Sequence, residues 1–165
     1  MICCPRCGAA GRAVSRHTLT AQVPTAALVA TELDGWRLCP TGDCAVVYTR
    51  EGAVFGLDAV AATPFHKSAD PARLVCFCFG HTVEAVEEDA RVHGRSTVCE
   101  SVQAACGAGQ DDCERKNPQG RCCLGDIGRL VKAIGATAEP EAETCCAPRD
   151  TGCCGPKAAD SGPVG

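Results

Sequence analysis

The residues in this chain with the clearest capacity for chemistry are its cysteines, 16 of 165. Cys76-Phe77-Cys78, Cys113 and the vicinal pair Cys122-Cys123 bound a central stretch. Four thiolates gathered from such separated points suit an inorganic iron–sulfur core, since a 2Fe-2S cluster takes four Cys ligands, two per iron. Two cysteines one residue apart, as Cys76 and Cys78 are, can serve a single iron, and the others must then return in three dimensions. Ahead of this stretch, Cys4-Pro5-Arg6-Cys7-Gly8 is a Cys-x-x-Cys knuckle, and Cys39 and Cys44 bracket Pro40 and Gly42 in a second turn. Two such turns supply the four sulfurs of a tetrahedral structural zinc site. Cys3 is the alternative to Cys4, and a redox Cys-x-x-Cys is the rival chemistry. Behind it, Cys145-Cys146 and Cys153-Cys154 form two vicinal dithiols in a segment of Pro, Gly, Ala and charges. Soft thiolates select Cu(I) and other thiophilic ions such as Hg(II), which a mobile segment can capture and pass on by ligand exchange.

Composition decides between metals and disulfides as the staple. With four Phe, one Trp and one Tyr, a large aromatic core is not available, and small domains need metals or disulfides to offset chain entropy. Met1-Ile2 runs directly into Cys3-Cys4, so no leader peptide is expected. No apolar run approaches the roughly 18 residues of a membrane span. A reducing cytoplasm is the expected compartment, where clustered cysteines bind metal more often than they pair. The net charge of −4 gives no basic footprint for nucleic acid.

The elements that must position these thiols follow from pattern. In residues 1–70, strand-like runs at Ala27–Ala30, Trp36–Leu38, Ala45–Tyr48 and Ala53–Phe55, the last after a Glu51-Gly52 turn, predict a strand-rich zinc module. Two prolines between Thr63 and Pro71 mark the boundary. In residues 71–135, Thr82 predicts the N-cap of a helix through about Val92, ended by Gly94. Thr97-Val98-Cys99-Glu100 has the form of a capping box opening a second helix to Ala105 or Cys106. Cys99, Val102 and Cys106 share one face of it, which reads as core packing. Leu124, Ile127, Leu130, Val131 and Ile134 make the stripe of a third helix. Its N-terminus favours thiolate and an anionic cluster. Adjacent helical residues point about 100° apart, so one of Cys122 and Cys123 is a ligand and the other a neighbour. Residues 136–165 cannot bury a core and are expected to be a flexible tail. The fold class expected is a small metal-stabilised α+β chain: strand-rich zinc module, helical 2Fe-2S module, disordered tail.

The order Cys-x-Cys, helix, helix, Gly-Ala-Gly, Cys, then Cys at a helix start resembles the bacterioferritin-associated-ferredoxin type of 2Fe-2S domain. With the upstream Cys-Pro-x-Cys-Gly and Cys-x4-Cys, and Lys-Asn-Pro-x-Gly-Arg-Cys-Cys-Leu-Gly, residues 1–135 resemble more narrowly the amino-terminal domain of CopZ-type copper chaperones. The resemblance implies cluster ligands Cys76, Cys78, Cys113 and Cys123, with Cys122 as the alternative to Cys123, and zinc ligands Cys4, Cys7, Cys39 and Cys44. Met occurs only at position 1, so the carboxy-terminal heavy-metal-associated domain of such chaperones, with its Met-x-Cys-x-x-Cys copper loop, is not expected.

The function these readings imply is a metallochaperone for Cu(I) or another thiophilic metal, with the cluster in a redox role. Its partner would be a metal acceptor such as a metal-transporting ATPase, with no membrane insertion of its own. The second reading is a 2Fe-2S electron-transfer or redox-sensing protein with no delivery role. His17, His66, His81 and His93 lack ligand spacing, and only His81, three residues past Cys78, is placed to hydrogen-bond near the cluster. No Ser/His/Asp set, phosphate loop or Cys/His nucleophile is present at motif strength, so no enzymatic role is expected.

Overall fold

In the computed structural model, residues 2–135 are described; the tail dithiols Cys145-Cys146 and Cys153-Cys154 lie outside them. The first strand, β1 (Arg12–Ala13), leads to Ser15, whose side chain accepts from the Thr18 N–H and starts α1 (Arg16–Gln22). This helix is absent from the sequence expectation, although Ser15 is a legible N-cap. The run Ala27–Ala30, expected as a strand, supplies instead the end of α2 (Thr25–Leu28) and the turn after it. Pro24 opens that helix, its carbonyl accepting from the Ala27 N–H. Thr-Ala-Ala-Leu holds two alanines, the best helix former.

The remaining strands of the first half fall at the expected runs: β2 (Arg37–Leu38), β3 (Val46–Arg50) and β4 (Ala53–Gly56). They form an antiparallel sheet in the order β1-β2-β3-β4, with Leu38 opposite Tyr48 and Tyr48 opposite Phe55. The Glu51-Gly52 turn joins β3 to β4 with positive φ at both residues, 48° and 92°, the two-residue hairpin geometry that matches strand twist. Leu19, Val23, Trp36, Leu38, Val47 and Tyr48 form one buried cluster, and Trp36 stacks on Phe55 with ring centroids 4.6 Å apart.

The second half is helical, as expected, but it opens with a small hairpin of β5 (Leu74–Cys76) and β6 (His81–Thr82). Thr82 then caps α3 (Val83–His93) by accepting from the Ala85 N–H, and Gly94 closes the helix in the left-handed conformation. The helix α4 (Val98–Gly107) follows. Its capping box does not form: Thr97 makes no side-chain cap, and Asp89 of α3 does the work from outside. That carboxylate accepts from the Thr97 and Val98 N–H groups and from the Ser96 and Thr97 hydroxyls. A short α5 (Cys113–Lys116) precedes α6 (Leu124–Gly135). Val75, Val83, Val86, Val98, Val102, Leu124 and Ile127 form a second core, in which Cys76, Cys99, Cys106 and Cys123 are buried as well.

The two halves are fastened polar group to polar group. Thr18 Oγ1 donates to the Glu114 carbonyl at 2.7 Å and Gln22 Nε2 to that of Arg115 at 2.8 Å, so α1 docks on α5. Tyr48 Oη, fully buried, donates to the Pro118 carbonyl at 2.6 Å, and the Arg12 guanidinium donates to the Gln119 carbonyl at 2.8 Å. These bonds hold the loop that carries Cys113 and Cys122-Cys123 against the sheet that carries Cys39 and Cys44.

Candidate metal centres

The first centre is built by two chain reversals brought side by side. In the knuckle, Gly8 N–H donates to the Cys4 carbonyl and Cys4 N–H to that of Ala9, both at 2.8 Å. Across from it, Cys39 N–H is tied to the Val47 carbonyl at 2.8 Å, which anchors the second turn to β3. All four sulfurs, Cys4, Cys7, Cys39 and Cys44, lie within 4.8 Å of one another. Cys4 and Cys44 are 3.9 Å apart, and Cys7 and Cys39 are 3.5 Å apart. A tetrahedron with Zn–S bonds of about 2.3 Å needs S···S separations of about 3.8 Å, so the quartet fits zinc in number, softness and spacing. Cys3 is exposed and pairs with Ala10 across the knuckle; Cys4 occupies the position in the quartet.

Three residues that the sequence did not single out support this quartet. The Thr41 hydroxyl is 3.2 Å from Cys7 Sγ. That contact, with the Ala9 N–H, lowers the Cys7 thiol to about 6, while burial pushes Cys39 up to about 12. From the 3-10 turn Phe65–Lys67, Lys67 Nζ donates to the carbonyls of Thr41 at 2.7 Å and Cys44 at 2.9 Å. His66 Nε2 lies 3.0 Å from the Cys39 carbonyl, and burial holds this imidazole below its ordinary range. Gly42 permits the approach: a Cβ there would sit 2.8 Å from the His66 carbonyl oxygen. The contacts from Thr41, His66 and Lys67 carry no local signal, because each joins residues more than twenty positions apart.

The second array gathers the central cysteines. Cys76 ends β5, Cys78 lies in the turn before β6, Cys113 opens α5, and Cys122-Cys123 precede α6. The sulfurs pair as Cys76 with Cys123, 3.0 Å apart, and Cys78 with Cys113, 3.5 Å apart. Cys76 and Cys78, which the Cys-x-Cys spacing would put on one iron, each contact a sulfur from elsewhere in the fold. The Asp112 N–H donates to Cys78 Sγ at 3.4 Å. Cys122 is in reach of Cys113, Cys123 and Cys106, and accepts from the Leu124 N–H. Bonds from Cys113 and then Cys123 hold the Cys122 thiol well below its ordinary range, and the bond from Cys123 lowers Cys76 to about 7. Cys113 is pushed up, chiefly by its bond to Cys122, and Cys123 by its bonds to Cys113 and Cys122. Cys76, Cys78, Cys113, Cys122 and Cys123 thus converge as a soft donor set that could hold a cation.

Comparison with known proteins bears on the first centre. Residues 2–61 match the family model of the CopZ-type zinc binding domain. The matched segment contains the whole quartet of Cys4, Cys7, Cys39 and Cys44. The chain is 29% identical over 135 residues to the copper chaperone CopZ of Archaeoglobus fulgidus, covering 82% of this chain and 64% of that protein. It is also similar to the X-ray structure of the Archaeoglobus fulgidus CopZ N-terminal domain, with a TM-score of 0.65 and 28% identity over 78% of this chain and 97% of the other. The chain thus spans less than two thirds of the length of the curated relative.

Three histidines have partners outside the zinc-type quartet. His17 faces Glu114, His93 faces Asp89, and His81 pairs with Cys76 in the β5–β6 ladder. Among the described residues, no helix is long and apolar enough to cross a membrane.

Proposed function

We propose that this protein is a metallochaperone for Cu(I). Zinc at Cys4, Cys7, Cys39 and Cys44 staples the sheet, and a 2Fe-2S cluster is held by Cys76, Cys78, Cys113 and Cys123. The observation that carries the cluster assignment is the pairing of sulfurs at 3.0 and 3.5 Å, which matches two thiolate ligands per iron. Cys123 is favoured over Cys122 because it is fully buried and lies against Cys76, whereas Cys122 is half-buried. When bound, the cluster supplies one-electron redox chemistry. The chain's own part is to exclude water with Val75, Val86 and Ile127 and to neutralise charge with the Asp112 N–H on Cys78. Delivery of a soft ion to an acceptor, such as a cytoplasmic metal-transporting ATPase, rests on the similarity to the copper chaperone and on the thiol-rich tail.

Anaerobic purification with metal and sulfide analysis tests this reading. It predicts one zinc and about two irons and two sulfides per chain, with visible absorption retained in Cys122→Ser and lost in Cys123→Ser. Zinc without sulfide would remove the cluster. Cu(I) transfer to a competing acceptor at a rate no faster than free release would leave the electron-transfer reading, which the half-buried Cys78 and Cys122 at the edge of the array favour.

A further inference from the structure

The loop between Cys113 and Cys122 is held from outside itself. Thr18 Oγ1 donates to the Glu114 carbonyl at 2.7 Å, and Gln22 Nε2 to those of Arg115 at 2.8 Å and Lys116 at 3.2 Å. Tyr48 Oη donates to the Pro118 carbonyl at 2.6 Å, and the Arg12 guanidinium to that of Gln119 at 2.8 Å. The remaining carbonyl of this run, Asn117, takes the Gly120 N–H at 2.7 Å. Gly120 itself has φ +63°, and a Cβ there would lie 2.6 Å from Thr18 Oγ1, so the loop closes directly on α1. We infer that Arg12, Thr18, Gln22 and Tyr48 are positioning residues through which the zinc-bearing half sets Cys113 and Cys123 in place for the cluster, so that zinc and cluster bind with positive cooperativity. The inference rests on the two-centre reading above.

Fixing a loop costs chain entropy residue by residue, and a carbonyl buried without a donor costs more. Here the donors belong to elements that the four-sulfur centre orders. Arg12 stands on β1 opposite Leu38, the residue before Cys39. Tyr48 stands on β3, which begins two residues after Cys44. Thr18 and Gln22 stand on α1, whose Leu19 shares the first core with Tyr48. Asn117 shapes the turn from within, its Nδ2 donating to the Arg121 carbonyl at 2.7 Å and its Oδ1 accepting from the Gln119 N–H at 2.9 Å; the outside grip decides where that turn sits. With zinc removed, a small metal-stapled sheet loosens. The grip then slackens, and Cys113 and Cys123 lose their places 3.5 Å from Cys78 and 3.0 Å from Cys76. Linkage makes the effect reciprocal: by whatever factor zinc tightens the cluster, the cluster tightens zinc.

The test uses the full chain, purified anaerobically, and measures zinc affinity by competition with a chelator of known affinity, once with the cluster loaded and once without it. The ratio of the two affinities is the readout. Couplings between sites run from about 5- to 150-fold, so zinc held at least about fivefold more tightly in the presence of the cluster is expected for the unaltered chain. In Arg12→Gln and in Gln22→Leu that ratio should fall toward one. A purely structural role would weaken zinc alike in both forms and leave the ratio unchanged. Arg12 is exposed, so Arg12→Gln provides the test should Gln22→Leu fail to fold. A ratio below about fivefold in the unaltered chain overturns the inference, as does a ratio that persists undiminished in every variant that folds. If the unaltered chain takes up no cluster from iron and sulfide, the two-centre reading itself falls, and the absent visible bands show that before any zinc is titrated.

Discussion

Lys67 is buried, and its ammonium donates to two carbonyls of the Cys39–Cys44 turn, at 2.7 and 2.9 Å. The counter-charge that makes such burial tolerable is the thiolate quartet, which carries two net negative charges once zinc is bound. Replacing Lys67 by Met keeps the length of the side chain and deletes both bonds. Hydrogen bonds to a charged group contribute about 1.5–3 kcal/mol each, and relief of ammonium desolvation offsets part of that, so the net loss is about 2–4 kcal/mol. Because folding of a small zinc module and zinc binding are one equilibrium, the loss appears as zinc affinity weakened by roughly 30- to 700-fold. Competition with a chelator of known affinity measures it, with Lys132→Met, an exposed residue of α6, as the control. A Lys67→Met protein whose zinc affinity stays within about threefold of the unaltered chain, under about 1 kcal/mol, would refute the argument that this ammonium holds the turn.

Other outcomes follow from the same geometry. Tyr48→Phe leaves the buried Pro118 carbonyl without its 2.6 Å donor; a loss of about 1–3 kcal/mol is expected in denaturant unfolding of the zinc-loaded protein, and no loss would mean the two halves are not coupled through it. Ile127→Ala, at a fully buried position in the core that holds Cys123, should cost about 2–5 kcal/mol; an unchanged melting temperature would contradict the assigned core. Asp89→Ala should cost about 0.5–2 kcal/mol through the lost cap of α4. Burial raises the Asp89 carboxyl, but its bonds from the Thr97 N–H and hydroxyl, Ser96 and Val98 outweigh this and hold it below its ordinary range. A carboxyl lowered on folding contributes stability that is complete above its unfolded value of about 3.9 and lost only as pH falls through the folded one. The gap between unaltered and Asp89→Ala proteins should therefore be equal at about pH 7 and pH 5.5, and a gap that closes over that interval would show that the carboxyl titrates higher.

Much of this chain was legible without coordinates. Cys4-x-x-Cys7 and Cys39-x4-Cys44 pointed to four sulfurs that the fold brings within 4.8 Å of one another, because tight turns fix sulfur spacing within a few residues; the strands at 46–50 and 53–56 and the helices from Val83, Val98 and Leu124 declared themselves by composition and period. Local patterns failed where a partner from elsewhere in the chain decided the outcome. Ala27–Ala30 has strand-like composition but no strand beside it, and α4 takes its cap from Asp89 rather than from Thr97. Lys67 and His66 reach the zinc-type turn from more than twenty residues away. Which sulfurs pair in the second array, Cys76 with Cys123 and Cys78 with Cys113, was equally beyond reach of spacing, since Cys76 and Cys78 are two residues apart yet turn to opposite partners. The sequence by itself determined the donor types and the turns that present them, because those depend on neighbours along the backbone. Only the tertiary structure decided which donors meet, because that depends on how α1, α5 and the sheet dock on one another.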